Sequence, residues 1–517
     1  MSEGSRRRDR AWPWLALALI VLVGVVLRAI PLLRSGGLFS GVEYDDGVYL
    51  SSAALLVSGH LPYTEFTLLH PPGIAVLLAP FGALIEHGDA RTAVVLGRWL
   101  MVLIAALTIL LIADLGRRWR GWPTGLLAAA LYAIGIGALV ADATVLLEPF
   151  LNLVCLGALD LWLAGERGRR TALQCLAVGA LLMLGLSIKV WAGVYVAVIG
   201  GVFLLRGSWR HLAWTVTGGL AAGAALVLPF VLAAPSEFLT QVVAVQAARP
   251  ADLSQSSAAR LTQLFDVGPV GMGGVAAIGV VAAVVVLSMA ALVAWRGGTF
   301  GAVLAALLAV MTTMFLLSSS FFDHYPSFLL PVAVLIIAGG STILLELLGS
   351  RAPRPVTVAA SALVLIVLLG IGGARAVRQA ANAPADADFG AAIAGLVPGD
   401  ACLTADDPMW ILVAGRSPRP PGGQRQVADL FGERVLRATD GGTVRFGRVD
   451  EMLLSDPSQD ALVRYLESCP YVVIGEKTDH NWTVEQWAAF QANHRVIGDW
   501  TSAGGPRLYQ LNGVAPS

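Results

Sequence analysis

The chain is poor in charge, in lysine and in cysteine. Asp, Glu, Lys and Arg make up only 14% of its 517 residues, where soluble domains carry about 25%. The 35 acidic and 35 basic groups cancel, so no net charge draws the chain to nucleic acid. Four cysteines in a chain of this length exclude a disulfide scaffold. No His/Cys spacing suggests a zinc site, and no P-loop, GxSxG or HExxH pattern occurs in a supporting context. Lysine occurs only at 189 and 477, and the other basic residues are arginine. What abounds is apolar surface: 56% of residues are hydrophobic and the mean hydropathy is +0.72. A soluble globular protein, a disordered chain and a nucleic-acid binder are all excluded. A mainly α-helical, polytopic membrane protein is what this composition describes.

Leu15–Ile30 follows four arginines (Arg6, Arg7, Arg8 and Arg10) with no small-residue cleavage site to close it, and reads as a retained first span. Ten further apolar stretches run at roughly 91–116, 122–141, 145–164, 171–187, 189–205, 212–234, 269–294, 299–318, 326–348 and 355–374, each near the ~20 residues that cross a bilayer. A shorter one, Pro71–Ile85, opens on two prolines and carries Pro80. If it does not cross, fifteen arginines in six clusters share the cytoplasmic side; if it does, eleven of them move outside, against the positive-inside rule. The expectation is therefore about eleven crossings, with Pro71–Ile85 as an outer juxtamembrane or re-entrant helix. The N-terminus is cytoplasmic, the C-terminus outside, and the membrane the inner membrane of a bacterium.

Beyond residue 374 the composition changes. Residues 375–517 hold 13 basic and 17 acidic side chains and read as a small α/β extracytoplasmic domain, with residues 1–374 as the membrane domain. Ala401–Thr404, Tyr471–Ile474, Arg495–Trp500 and Arg507–Leu511 read as strands, Pro457–Glu467 and Val484–Asn493 as amphipathic helices, and Pro418–Gly423 as a loop. Cys402 and Cys469 lie in this outer part, where the compartment permits a disulfide; two buried thiols are the alternative. No catalytic constellation is evident in the domain, which is expected to cover the site or to help bind the acceptor.

Ionisable residues near membrane depth are costly and so are functional candidates. On the inner side they are mainly arginines with Asp114, Asp160 and Glu346, which read as anchors. The outer side mixes acids and bases, among them Asp45, Asp46, His70, Arg98, Asp142, Glu148, Lys189 and His324. The outer loop 34–90 is the most informative stretch. Asp45 and Asp46 open an apolar helical pattern that stops at Ser58-Gly59, where the helix dipole favours their charge. Capping accounts for one acid; for two, catalysis is an equal reading. Lys189 lies between two apolar stretches, either snorkelling or offering a point charge to a lipid phosphate. Asp142 reads as a turn residue, Glu148 as a helix-start acid or a ligand, and His324 as part of an interfacial aromatic belt.

Taken together, DDGVYLSSAALLVSG, then HLPY and HPPG, resemble the first outer loop of the GT-C superfamily of membrane glycosyltransferases. The similarity is to the family-39-like members, which include aminoarabinose transferase and protein O-mannosyltransferases. Their pattern is D-E-x-x-Y-x-x-x-A-x-x-L-x-x-G followed by K-P-P. LEPF at Glu148 resembles the family's L-D-P-F, SIKVWAG at Lys189 its T-K-G, and FDHYPSFLLPVAVLIIAGG its late tyrosine-containing, Pro-rich segment. The resemblance implies transfer of a sugar from a polyprenyl-phosphate donor to an acceptor hydroxyl on the outer face, with inversion. It makes Asp45 the general base, with Asp46 at the adjoining position, and Lys189 the residue that holds the donor phosphate. His70, Glu148, Arg98, Tyr49 and His324 join the candidate binding set. His70 stands where the family has lysine. No metal ligand set is expected and no cofactor is obligatory, with a divalent metal as the alternative. The acceptor is a lipid, a polysaccharide or a protein. The competing readings are a transporter or flippase for a lipid-linked substrate, and a non-catalytic membrane scaffold.

Overall fold

The computed structural model describes residues 3–41, 43–168, 170–250, 255–265, 276–349, 369–382, 387–418, 427–475 and 481–513. They fall into two compact units. A helical unit comprises Met1–Ile30, Met101–Gly223 and Gln255–Ala383; a mixed unit comprises Pro31–Leu100, Ala224–Ser254 and Pro384–Ser517.

Six helices among the described residues are long and apolar enough to cross a membrane: Ala11–Leu33, Ala90–Arg120, Leu147–Glu166, Gly279–Arg296, Gly298–Leu317 and Pro326–Gly349. Ala172–Ile188 and Val190–Leu205 are apolar but shorter. The chain is thus a multi-pass membrane protein. Two stretches that read as single spans are broken. The 122–141 stretch divides into Trp122–Ala133 and Ile136–Ala141, because Gly135 takes an extended conformation. The 212–234 stretch divides at Val227, ahead of Pro229, into Trp209–Leu226 and Leu228–Ala233; proline supplies no N–H to continue the ladder. Most of the stretch at 355–374 lies outside the described residues, as does most of the Pro418–Gly423 loop.

In the helical unit, charge is neutralised in pairs. Asp114 accepts from Arg117 and Arg118, Arg118 reaches Asp160 at 3.5 Å, and Arg120 meets Glu346 at 2.5 Å. Asp142 lies in the turn that ends the Ile136–Ala141 helix, as its reading as a turn residue expects, and its side chain adds an ion pair. It is fully buried and accepts from Arg28 Nε of the first helix at 2.8 Å, while Arg28 also donates to Gly24 and Ala133 carbonyls. A charge in an apolar helix is tolerated when paired in this way.

The mixed unit holds a four-stranded sheet: β1 (Leu403–Ala405), β2 (Tyr471–Ile474), β3 (His494–Asp499) and β4 (Arg507–Leu511), in the order β1-β2-β4-β3. β1 pairs parallel to β2, and the other pairings are antiparallel. Helices Asp456–Leu466 and Val484–Asn493 bury Leu462, Leu466 and Phe490 against Val472, Ile474 and Tyr509. Cys402 and Cys469 immediately flank the paired strands and are joined, with their Cα atoms 5.2 Å apart, within the disulfide range. Alkylation of the unreduced protein is expected to leave both thiols unmodified; labelling of both would contradict the bridge.

The sheet region shares its cores with distant segments of the same unit. Leu55, Tyr63, Phe66 and Leu68 pack with Ala234, Val242 and Ala428; Leu69 and Val245 pack with Val435, Ala438, Met452 and Leu453. The stretch 34–90 is itself largely helical. Tyr44–Val57 carries the acids, and Pro71–Ile85 forms two short helices, Gly73–Leu77 and Ala79–Glu86, interrupted at Leu78 just before Pro80.

Candidate active site

The two adjacent acids have opposite surroundings. Both lie in the first turn of the Tyr44–Val57 helix, and neither caps it. Glu43 is the N-cap and makes no capping bond through its side chain. Asp46 is completely buried and accepts from Arg98 Nη2 at 2.9 Å and Nε at 3.2 Å. Arg98, equally buried, gives its other donors to the carbonyls of Gly37 (2.9 Å) and Ser40 (2.8 Å) and to Ser40 Oγ (3.2 Å). Its guanidinium therefore ties the start of the acid helix to the preceding loop. Asp45 points to a different environment: it is partly exposed and accepts from Tyr49 Oη, one turn on, at 3.1 Å. Removing one member of a buried ion pair strands a charge, at a cost of about 3–5 kcal/mol. Arg98→Ala and Asp46→Asn are both expected to lower unfolding stability by that order, and a change below ~1 kcal/mol in denaturant titration would contradict the anchor role.

His70 follows the same helix in space. Its ring lies edge-on to Tyr49, with centroids 5.8 Å apart, and its carbonyl accepts from Tyr63 Oη at 2.9 Å. Tyr63 has a positive φ of 74°, an uncommon conformation for a bulky residue. Gln241 holds it there, donating to the Tyr63 carbonyl at 2.8 Å and accepting from Leu68 N–H at 3.1 Å. Gln246 donates to the Leu69 carbonyl at 2.8 Å. Gln241 belongs to a π-helical turn, Thr240–Ala244, of the kind that recurs at functional sites. Nothing in the sequence marks either glutamine.

The C-terminal segment contributes to this cluster. Tyr44, the residue before Asp45, donates to Asp429 Oδ1 at 2.9 Å and accepts from Phe431 N–H at 2.8 Å. Asp429 caps the Leu430–Ala438 helix by accepting from Gly432 N–H at 2.7 Å. Burial, together with the charge of Asp45, raises the Asp429 carboxyl to about 6, against the opposing pull of the Gly432 and Tyr44 hydrogen bonds and of Arg249. Burial and the Asp429 charge hold the Tyr44 phenol well above its usual value, so it remains a donor. The backbone of Pro408 and Met409 lies against Gly47; a Cβ there would stand 2.3 Å from Met409 N. Glycine at 47 is what allows this close approach.

A second cluster lies in the helical unit. The Ala172–Ile188 helix ends at Lys189, whose backbone is extended (φ −152°) and which is only 6% exposed. Lys189 Nζ donates to Glu148 Oε1 at 2.7 Å. Glu148 sits in the first turn of Leu147–Arg167, where the helix dipole favours an anion. Two aromatic faces complete the ammonium's surroundings: Trp191 at 3.5 Å and Tyr325 at 4.9 Å from Nζ to the ring centroid. His324 Nε2 approaches Glu148 Oε1 at 3.9 Å and stacks on Phe322. Lysine, glutamate and histidine from three separate stretches thus meet. Among the described residues, no group of three or more His, Cys, Asp or Glu is placed to hold a metal ion.

The model of glycosyltransferase family 87 matches residues 66–319. The fold resembles that of ArnT from Cupriavidus metallidurans bound to undecaprenyl phosphate, with a TM-score of 0.63 at 15% identity over 98% of this chain and 99% of that one. The likeness is one of fold, and the family 87 match spans just under half of the chain. The oligosaccharyltransferase of Archaeoglobus fulgidus in its apo form has a TM-score of 0.57 at 13% identity, over 90% of this chain and 70% of that one. AglB of the same organism, in complex with an inhibitory peptide and a dolichol-phosphate, has a TM-score of 0.55 at 12% identity, over 98% and 74%. No curated protein sequence matches the chain.

Proposed function

We propose that this chain is a GT-C glycosyltransferase that moves a sugar from a polyprenyl-phosphate donor to an acceptor hydroxyl, by single displacement with inversion, at the outer face of a bacterial inner membrane. The observation that carries the reading is the division of labour between the adjacent acids. Asp46 is buried and neutralised by Arg98, whereas Asp45 is partly exposed beside Tyr49. A general base must reach the proton it removes, and of the two only Asp45 is accessible.

In this mechanism the acceptor O–H gives its proton to Asp45 as the oxygen attacks the anomeric carbon. The bond from that carbon to the phosphate oxygen breaks, and polyprenyl phosphate leaves with the electron pair. Lys189 is the proposed cation for that phosphate. Glu148 and the faces of Trp191 and Tyr325 hold the ammonium, and a fixed cation counts most where charge develops. His70, Tyr49 and His324 are proposed contacts of donor or acceptor. A monophosphate leaving group carries less charge than a diphosphate, so a single lysine is the proposed counter-charge and no divalent metal is required. Two structural neighbours were solved with a polyprenyl phosphate bound, which supports a lipid-phosphate donor. The proposed acceptor is a lipid, polysaccharide or protein hydroxyl.

The test is transfer of label from a panel of radiolabelled polyprenyl-phosphate sugars by the purified full-length protein, with membrane extract as acceptor source. Label in a new product is the expected result. No transfer from any donor by folded protein would refute the reading.

A further inference from the structure

The Leu430–Ala438 helix and the acid helix are joined at one hydroxyl. Tyr44 Oη donates to Asp429 Oδ1 and accepts from the N–H of Phe431. Asp429 is itself 8% exposed, and the same oxygen accepts from Gly432 N–H at 2.7 Å. Gly432 leaves room for this: a Cβ there would stand 2.3 Å from Asp429 Oδ2. The neighbouring turn is fixed separately, by Thr67 Oγ1 donating to Glu433 and Arg437 pairing with Glu433 at 2.9 Å.

Charged groups among the described residues act on this joint from several elements. Asp45 follows Tyr44 on the acid helix, and its charge acts on Asp429. Arg249, whose guanidinium lies 5.1 Å from the Phe431 ring centroid, acts in the opposite sense. Asp407 acts on Tyr44 from the turn that starts the Pro408–Val413 helix, and Tyr44 acts on Arg434, whose own donors go to Ser458 and to the carbonyls of Leu453 and Asn481.

We propose that Asp429 is a positioning residue for sugar transfer: through Tyr44 it fixes the first turn of the helix that presents Asp45, and its carboxylate sets the electrostatic field at Asp45. The C-terminal segment is then a working part of the base machinery. The inference rests on Asp45 acting as the base.

Two substitutions separate the roles of bond and charge. Asp429→Asn keeps an acceptor oxygen for Tyr44 and Gly432 and removes only the charge. Tyr44→Phe removes the hydrogen bonds and keeps the charge. The measurement is kcat/KM for the acceptor against pH, from 5 to 8, on the full-length protein. Wild type is expected to show an inflection near pH 6, where Asp429 titrates. That inflection should be absent from Asp429→Asn. Tyr44→Phe is expected to lower kcat about tenfold to a hundredfold, the scale of a misplaced catalytic group, with donor KM unchanged.

Thermal unfolding guards against a trivial loss of fold. A carboxyl raised in the folded state favours folding at low pH, and that contribution is lost as pH rises through about 6. Asp429→Asn should therefore be as stable as wild type, or more so, at pH 7. An unchanged inflection in folded Asp429→Asn, or full kcat in Tyr44→Phe, overturns the proposal while leaving Asp45 as the base. No transfer by wild type, or full transfer by Asp45→Asn, overturns the reading of the site and this inference with it.

Discussion

Asp45→Asn is expected to lower kcat by about 10²–10⁴-fold, the contribution of a positioned general base, while donor binding and unfolding stability stay near wild type. The reason is local. Asp45 is partly exposed and has a tyrosine hydroxyl as its hydrogen-bond partner, so an amide of the same shape strands no buried charge. Its neighbour should behave in the opposite way. Asp46→Asn leaves the buried Arg98 without its counter-ion, so the protein loses stability first and activity as a consequence. Steady-state transfer and denaturant unfolding of the two variants, side by side, tell the roles apart. Wild-type turnover by Asp45→Asn would end its claim to be the base.

Lys189→Met is expected to lower kcat/KM for the donor by about 10²–10³-fold, the order lost when one fixed stabiliser of developing charge is removed. The substitution also strands Glu148, which is 1% exposed and bonded to Lys189. A stranded buried charge costs about 3–5 kcal/mol, so the single variant confounds folding with chemistry. The double variant Lys189→Met/Glu148→Gln removes both charges and should recover most of the stability. If Lys189 serves the donor phosphate, the double variant is folded and still deficient in donor use. Recovery of activity along with stability would make the pair purely structural.

These expectations trace back to how much of the molecule could be read from residues alone. Elements governed by local pattern were legible to within a residue or so. Tyr471–Ile474 and Arg507–Leu511 are strands, and Val484–Asn493 is a helix, because short apolar or aromatic runs and helical spacing report burial directly. The acid helix begins where the apolar pattern begins. Partnerships between distant segments were not legible. Tyr44 and Asp429 are 385 residues apart, and Arg28 and Asp142 are 114; no spacing rule relates them. The same limit explains why residue pattern by itself, without the family resemblance, does not tell the two acids apart. Only the arrival of Arg98, 52 residues on, makes one an anchor and leaves the other accessible. The helix breaks near Gly135 and Val227 lie inside continuous apolar runs, where hydropathy averages across them.

The C-terminal segment was legible as an α/β fold but not as a partner of the 34–90 stretch. Phe66, Leu68 and Leu69 bury against residues from 230–250 and from 428–453. Each of these stretches looks like an ordinary amphipathic or loop segment when taken alone. The packing means that the segment cannot be removed without exposing the core of the 34–90 stretch, so point substitutions such as those at Asp429 and Tyr44 are sharper tools than truncation.

The most direct measurement is the anomeric configuration of the glycosidic bond made by the wild-type protein from a polyprenyl-phosphate sugar of known configuration, read by NMR of the purified product. A single displacement assisted by Asp45 predicts a product of opposite configuration to the donor. Retained configuration would contradict it, because retention requires a covalent sugar–enzyme intermediate or a different displacement altogether.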